Sequence, residues 1–258
     1  MLLAPDDVSP FDVQGRDGRS PFFIICDHAG RLVPPSLGSL GLSEDRLASH
    51  IGWDIGAGAV ARRLGAALGA PVVMQRYSRL VIDCNRPLGA ADSIVSQSET
   101  THIPGNQHLG PGEAEERARA VFHPYHDEIR TVLDQREARG LSTVLVAMHS
   151  FTPVFMGVAR PWHVGVLYNR DARVATPLLE ALRGEGALVV GDNQPYAAGD
   201  LTDYSIVTHG ERRQLPHVEL EIRQDLIADG GGQDAWAERL ARLLPLAVRA
   251  LPLDEVTA

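Results

Sequence analysis

Apolar residues in this 258-residue chain fall into two kinds of run. Short uninterrupted runs, rich in β-branched and aromatic residues, alternate with longer stretches in which apolar residues return every three or four positions. The first kind predicts buried strands and the second amphipathic helices. Strands are expected at Pro21–Cys26, Pro71–Met74, Leu80–Ile82, Leu141–Met148, His163–Tyr168, Ala187–Val190 and His217–Ile222. Ser43 suits the cap of a short helix reaching residue 50. A longer helix is expected over Ile55–Leu68, with Val60, Leu64 and Leu68 on one face, Asp54 as its cap and Gly69 as its stop. Glu113–Arg139 reads as an amphipathic helix interrupted near Pro124, because proline removes a helical hydrogen bond. Ala175–Arg183 and Asp234–Leu251 complete the helices. Residues 1–20 read as an irregular lead-in. Residues 88–112, rich in Gly, Pro, Ser, Asn and His, read as a long irregular loop of the kind that often serves as a lid. Strand and helix alternate throughout. The pattern therefore predicts one α/β domain over residues 1–258: three layers, with a mixed, mainly parallel sheet flanked by helices.

Composition narrows the function. A hydrophobic fraction of 44% with 22% charged residues belongs to a globular protein with a full core. The net charge of −9 argues against nucleic acid as a partner. No apolar run approaches the roughly 20 residues of a membrane span, and the first residues lack the pattern of a secretory signal. A cytoplasmic protein is expected. The two cysteines, Cys26 and Cys84, stand beside expected strand ends and read as reduced thiols.

Polar residues crowd those strand ends. They are Asp27, His28 and Arg31; Arg76, Arg79, Asp83, Asn85 and Arg86; His149 and Ser150; and Glu219, Glu221 and Arg223. Ligand sites in open α/β sheets lie at strand ends. Arginines there point to a partner with carboxylates or phosphates, whose oxygens the guanidinium fork matches. Two histidines and a carboxylate make a hydrolytic zinc site that leaves a position open. An unligated carboxylate beside it can then take a proton from water. Each residue also has a structural reading: Asp54 as a helix cap, His50 as a helix end, Asp83 and Arg86 as an ion pair in a turn stopped by Pro87.

Five blocks carry a resemblance. Cys26-Asp-His-Ala-Gly30, His50-Ile-Gly-Trp-Asp-Ile-Gly-Ala57, Tyr77-Ser-Arg-Leu-Val-Ile-Asp-Cys-Asn-Arg-Pro87, Met148-His-Ser-Phe151 and Glu221-Ile-Arg-Gln-Asp-Leu226 together resemble the N-formylglutamate amidohydrolase family. That family is in turn similar to zinc carboxypeptidases of the carboxypeptidase A type, which implies a zinc-carboxypeptidase-like (phosphorylase/hydrolase-like) fold. The resemblance implies one Zn²⁺ ion, or another divalent metal, on His28 and His149. Arg31 stands where those enzymes carry a glutamate ligand, and Asp54 is the expected replacement, with His50 and Asp27 as alternatives. Glu221 is implied as the general base, and Asn85 with Arg86 as the clamp on a substrate carboxylate. Arg79 is the first candidate for stabilising an oxyanion and Arg76 the second. Arg31 is a candidate for a second substrate carboxylate. The implied reaction is hydrolysis of N-formyl-L-glutamate, or a related small N-acyl amino acid, to formate and L-glutamate. An amidase or peptidase of the same fold with another substrate, and a metal-free carboxylate binder, are the competing readings. A serine hydrolase fits less well, because Ser150 lacks a Gly-x-Ser-x-Gly turn.

Overall fold

Seven strands meet in one sheet, and four parallel neighbours in its middle finish on the same edge. The computed structural model describes residues 1–249 and 251. In chain order its elements are β1 (Phe11–Gln14), β2 (Phe22–Cys26), α1 (Glu44–Ala48), α2 (Ala57–Leu68) and β3 (Val72–Gln75). A small hairpin follows, β4 (Gln97–Ser98) and β5 (Thr101–His102), then α3 (Pro111–Arg117) and α4 (His123–Ala138). Next come β6 (Val144–Phe151), a second hairpin of β7 (Val154–Phe155) and β8 (Val158–Ala159), β9 (Val164–Leu167), α5 (Ala175–Gly184) and β10 (Val190–Asp192). β11 (His217–Arg223) and α6 (Gly230–Arg249) are the last of the described elements.

The sheet order is β1-β3-β2-β6-β11-β9-β10. β3, β2, β6 and β11 run parallel to their neighbours, as do β9 and β10, whereas β1–β3 and β11–β9 are antiparallel. The expected mixed, mainly parallel sheet is therefore present. Side chains alternate between its faces. Val144, Val146 and Met148 of β6 pack with Val218, Leu220 and Ile222 of β11 against α2, α5 and α6. Leu145 and Ala147 pack on the other face against α4 and the turn before it. His149 continues that second parity, as do Glu219 and Glu221. Register sets Glu221 directly opposite His149. A strand face that is apolar at its start thus becomes polar at its C-terminal end.

Several local expectations are corrected. Phe11–Gln14 is not irregular lead-in but an edge strand whose four residues pair with β3. Leu80–Ile82 is not a strand. It is a buried turn whose carbonyls are satisfied by side chains: Asn106 Nδ2 donates to Leu80 O and Arg117 Nη1 to Val81 O. The strand expected at Ala187–Val190 falls instead at Val190–Asp192. Residues 88–112 contain the β4–β5 hairpin and a helical turn at Pro104–Asn106. The interruption near Pro124 is a wide turn, Ala118–Phe122, which precedes the proline and leaves it in the first turn of α4. Asp54 does not cap α2. The helix starts from Gly56, which takes φ +82° and approaches Ile227 O so closely that a Cβ would lie 2.3 Å from it.

Candidate metal centre

His28 follows the end of β2, His149 sits near the end of the adjacent strand β6, and Asp54 lies in the turn before α2. The Asp54 amide donates to His28 O at 3.0 Å, which ties that turn to the end of β2. Freed from capping, the Asp54 carboxylate points at both histidines. Its Oδ2 lies 3.3 Å from His28 Nδ1 and 2.9 Å from His149 Nδ1, and the Ser150 amide donates to it at 3.2 Å. One donor atom from each of the three residues lies within 4.8 Å of the others, and all three residues are buried.

The opposite ring nitrogens are held as well. His28 Nε2 donates to Asp83 Oδ1 at 2.7 Å, and His149 Nε2 donates to Asp27 Oδ2 at 3.1 Å. A carboxylate on one ring nitrogen fixes the tautomer and leaves the other nitrogen's lone pair to a metal. Two imidazoles and one carboxylate are a hydrolytic zinc set. The donor chemistry therefore fits a zinc ion at Nδ1 of both histidines and the carboxylate of Asp54.

Charge agrees with that fit. Burial alone opposes ionisation of Asp27, Asp54 and Asp83, yet neighbouring charges win at each. His149 and Ser205 hold Asp27 at about 2; His28 and His149 lower Asp54; Arg79 and His28 hold Asp83 well below the usual range. Burial likewise disfavours charged imidazoles, but Asp83 and Asp54 raise His28, and Glu219, Asp27 and Asp54 hold His149 well above its ordinary value. The carboxylates favour positive charge on the two rings between them, the charge that a bound cation would otherwise supply.

Around this centre lies a cavity of about 460 Å³. Arg79 reaches across its floor, donating to Asp83 Oδ2 from Nε and Nη2 at 3.1 and 2.7 Å and to Asp54 Oδ1 at 3.4 Å. Asn85 is fixed by the Ser205 amide, which donates to its Oδ1 at 3.0 Å. Arg86 pairs with Asp92 at 2.7 Å and donates to Thr202 O. Glu219 and Glu221 also line the cavity, and each keeps one buried carboxylate oxygen without a partner among the described residues. Burial pushes Glu221 up to about 7, with Asp54 adding to the rise and His149, Arg79 and His28 opposing it. A carboxyl group tuned there can take up a proton near neutral pH.

The site thus gathers His28, Asp54, Arg79, Asn85, Arg86, His149 and Glu221. Arg31 and Arg76 are not among the lining residues. Arg31 points to solvent and pairs with Glu44, and Arg76 serves the fold through its backbone, its amide donating to Pro10 O and its carbonyl accepting from Leu32 N. Arg223 turns to Asp225. Of the alternatives to Asp54, Asp27 lies behind His149, and His50 donates to Glu99 on the cavity wall at 2.7 Å. Sequence reasoning missed Glu99 and Tyr196, both lining residues from irregular segments, where no periodicity marks a direction. Strand alternation does mark Glu219, two positions before Glu221.

Comparison with known proteins places this arrangement. A sequence model of the N-formylglutamate amidohydrolase family matches residues 20–228, a span that includes every cavity residue. The chain belongs to the N-formylglutamate amidohydrolase family. A curated relative, the N-formylglutamate deformylase of Pseudomonas putida, is 27% identical over 257 residues, covering 91% of each chain. A solved gene product of Agrobacterium tumefaciens is 37% identical and superposes with a TM-score of 0.94, over 97% of this chain and 99% of that one. The N-formylglutamate amidohydrolase of Ralstonia eutropha shares the fold, at 18% identity and a TM-score of 0.74 over 94% and 98% of the two chains. Membership of the N-formylglutamate amidohydrolase family carries hydrolysis of an amide as the reaction class. The five sequence blocks all fall within the matched residues.

Proposed function

We propose that this protein hydrolyses N-formyl-L-glutamate to formate and L-glutamate, with a zinc ion held by His28, Asp54 and His149. The observation that carries the reading is the pairing of the two imidazoles. Each turns Nδ1 to the Asp54 carboxylate, and each has Nε2 fixed by a separate buried aspartate. When bound, zinc polarises a carbonyl and lowers the pKa of water from about 15.7 to about 7. Glu221 accepts the proton of the attacking water at its free carboxylate oxygen and returns it to the leaving amine. Arg79, anchored at one edge by Asp83, stabilises negative charge developing on the formyl oxygen. Asn85 and Arg86 grip the α-carboxylate. Family membership and the Pseudomonas relative support the choice of acyl group and amino acid.

Formate release from N-formyl-L-glutamate by the purified protein tests the reading, together with its metal content. Activity lost to a chelator and restored by zinc supports it. A zinc-loaded protein that hydrolyses other N-acyl amino acids and spares N-formyl-L-glutamate assigns the site to another substrate. A protein that takes up no zinc removes the mechanism.

A further inference from the structure

A substrate with two carboxylates needs two cationic clamps, and the cavity's own arginines already have roles, Arg86 with Asn85 at the α-carboxylate and Arg79 at the formyl oxygen. Arg79 is held by Asp83 and Asp54, and Arg86 by Asp92. Arg160 is not itself a lining residue, but it packs against rings of the cavity wall. Arg160 lies at the base of the β7–β8 hairpin, its amide donating to Pro153 O at 2.8 Å. Its guanidinium packs over Phe155 at 4.5 Å, Tyr196 at 4.8 Å and Phe151 at 5.9 Å from the ring centroids, and all three rings line the cavity. Among the described residues it forms no ion pair. Its side-chain hydrogen bond runs from Nη1 to the Tyr196 hydroxyl, at 2.8 Å.

Aromatic faces hold a guanidinium by its flat sides and leave its N–H edge free to meet a carboxylate with two parallel bonds. The side chain is partly exposed. Tyr196 links rim and centre. Burial raises its phenol, Glu221 adds to the rise, and Arg160 and Arg79 both oppose it, so the ring is within electrostatic reach of all three.

We propose that Arg160, on its aromatic seat, is the subsite for the substrate's side-chain carboxylate and sets the preference for an acidic over an amide side chain. The proposal rests on the reading of the cavity as an N-acyl amino acid site. It also replaces Arg31, which the fold sends elsewhere.

The test compares the zinc-loaded wild type with Arg160→Met and Arg160→Lys, on N-formyl-L-glutamate and N-formyl-L-glutamine. Binding of L-glutamate and L-glutamine is measured in parallel by calorimetry, and thermal melting controls for folding. In Arg160→Met, KM for N-formyl-L-glutamate should rise about 10- to 100-fold, the effect of one charge-assisted pair. The change in kcat should be small, and the amide substrate should shift less than about threefold. Arg160→Lys, which keeps the charge without the fork, should fall between. Equal losses on both substrates overturn the proposal, as does a wild type that binds L-glutamate no more tightly than L-glutamine. A wild type that releases no formate but loses glutamate binding on Arg160→Met refutes the reaction and keeps the subsite.

Discussion

Replacing Asp83 with asparagine exchanges one carboxylate oxygen for an NH2 group and changes almost no volume. In the native protein Asp83 Oδ1 accepts from His28 Nε2 at 2.7 Å and from the Asn85 amide at 2.8 Å, while Oδ2 accepts twice from Arg79. An asparagine oxygen can keep the first pair of bonds. Its NH2 group then faces the Arg79 N–H groups, donor against donor. The imidazole of His28 loses the negative charge that makes its Nδ1 a stronger ligand, and Arg79 loses its main buried anchor. Loss of such an outer partner weakens metal binding about 10- to 100-fold, or about 1.4–2.7 kcal/mol. Breaking a buried ion pair costs about 3–5 kcal/mol, and with the Arg79 side chain 27% exposed the metal-free protein should lose less than that. Arg79 also keeps a long contact with Asp54, which lowers the expectation further. Zinc affinity is read by competition with a chromophoric chelator, and stability by urea denaturation of the metal-free protein. An Asp83→Asn protein that binds zinc as tightly as the wild type would refute the claim that Asp83 prepares His28 for the metal, whatever its activity.

Other outcomes follow from the same contacts. Glu221→Gln should lower kcat about 10²- to 10⁴-fold, the usual share of a proton-transfer group, while zinc content stays at the wild-type level; unchanged turnover would remove Glu221 from the reaction. Gly56→Ala places a Cβ 2.3 Å from Ile227 O at φ +82°, so stability should fall by about 2 kcal/mol or more, and zinc affinity should fall with it because Asp54 is two residues away; a melting temperature equal to the wild type's would contradict the strain. Acid should act through the buried pair His126 and His209. Burial lowers His126 to about 4, and Arg130 and His123 deepen the shift while Asp27 and the Cys84 carbonyl oppose it. With an ordinary value near 6.5, the unfolded chain binds the extra proton between pH 6.5 and 4, so stability is whole above pH 6.5 and falls by about 3 kcal/mol on the way down to 4. Denaturation of metal-free wild type and His126→Gln at pH 7.5 and 4.5 should show a smaller acid loss in the variant, and parallel losses would place the sensitivity elsewhere.

The parts of the site that lie on strands were readable in the sequence. β2 and β6 are apolar runs that turn polar at or just past their C-terminal ends, β11 alternates apolar and polar residues, and parallel pairing of those three strands brings His28, His149 and Glu221 together. The turn at Leu80–Ile82 was misread for a physical reason. A buried apolar segment needs partners for its backbone groups, and ladder bonds are the usual source; here the buried side chains of Asn106 and Arg117 provide them from more than twenty residues away. Composition hid β1 in a Pro- and Gly-rich start, although Phe11 and Val13 alternate with Asp12 and Gln14. Asp54 looked equally suited to a cap, and only the left-handed turn at Gly56 decides that its carboxylate faces the histidines. Arg31 had the right charge just after the first block, but its side chain pairs with Glu44, which no spacing rule connects to it. The partners of the ring nitrogens, Asp27 and Asp83, stood in the recognised blocks, yet which nitrogen each one holds is a matter of distances that sequence does not carry.

The central claim is that two imidazoles reach one divalent ion through Nδ1, with Asp54 between them. Anomalous scattering from zinc-loaded crystals, collected on either side of the zinc edge, addresses it directly. One peak is expected at bonding distance from His28 Nδ1, His149 Nδ1 and an oxygen of Asp54, with Asp83 and Asp27 still on the far nitrogens. A zinc peak elsewhere, or coordination through Nε2, would contradict it.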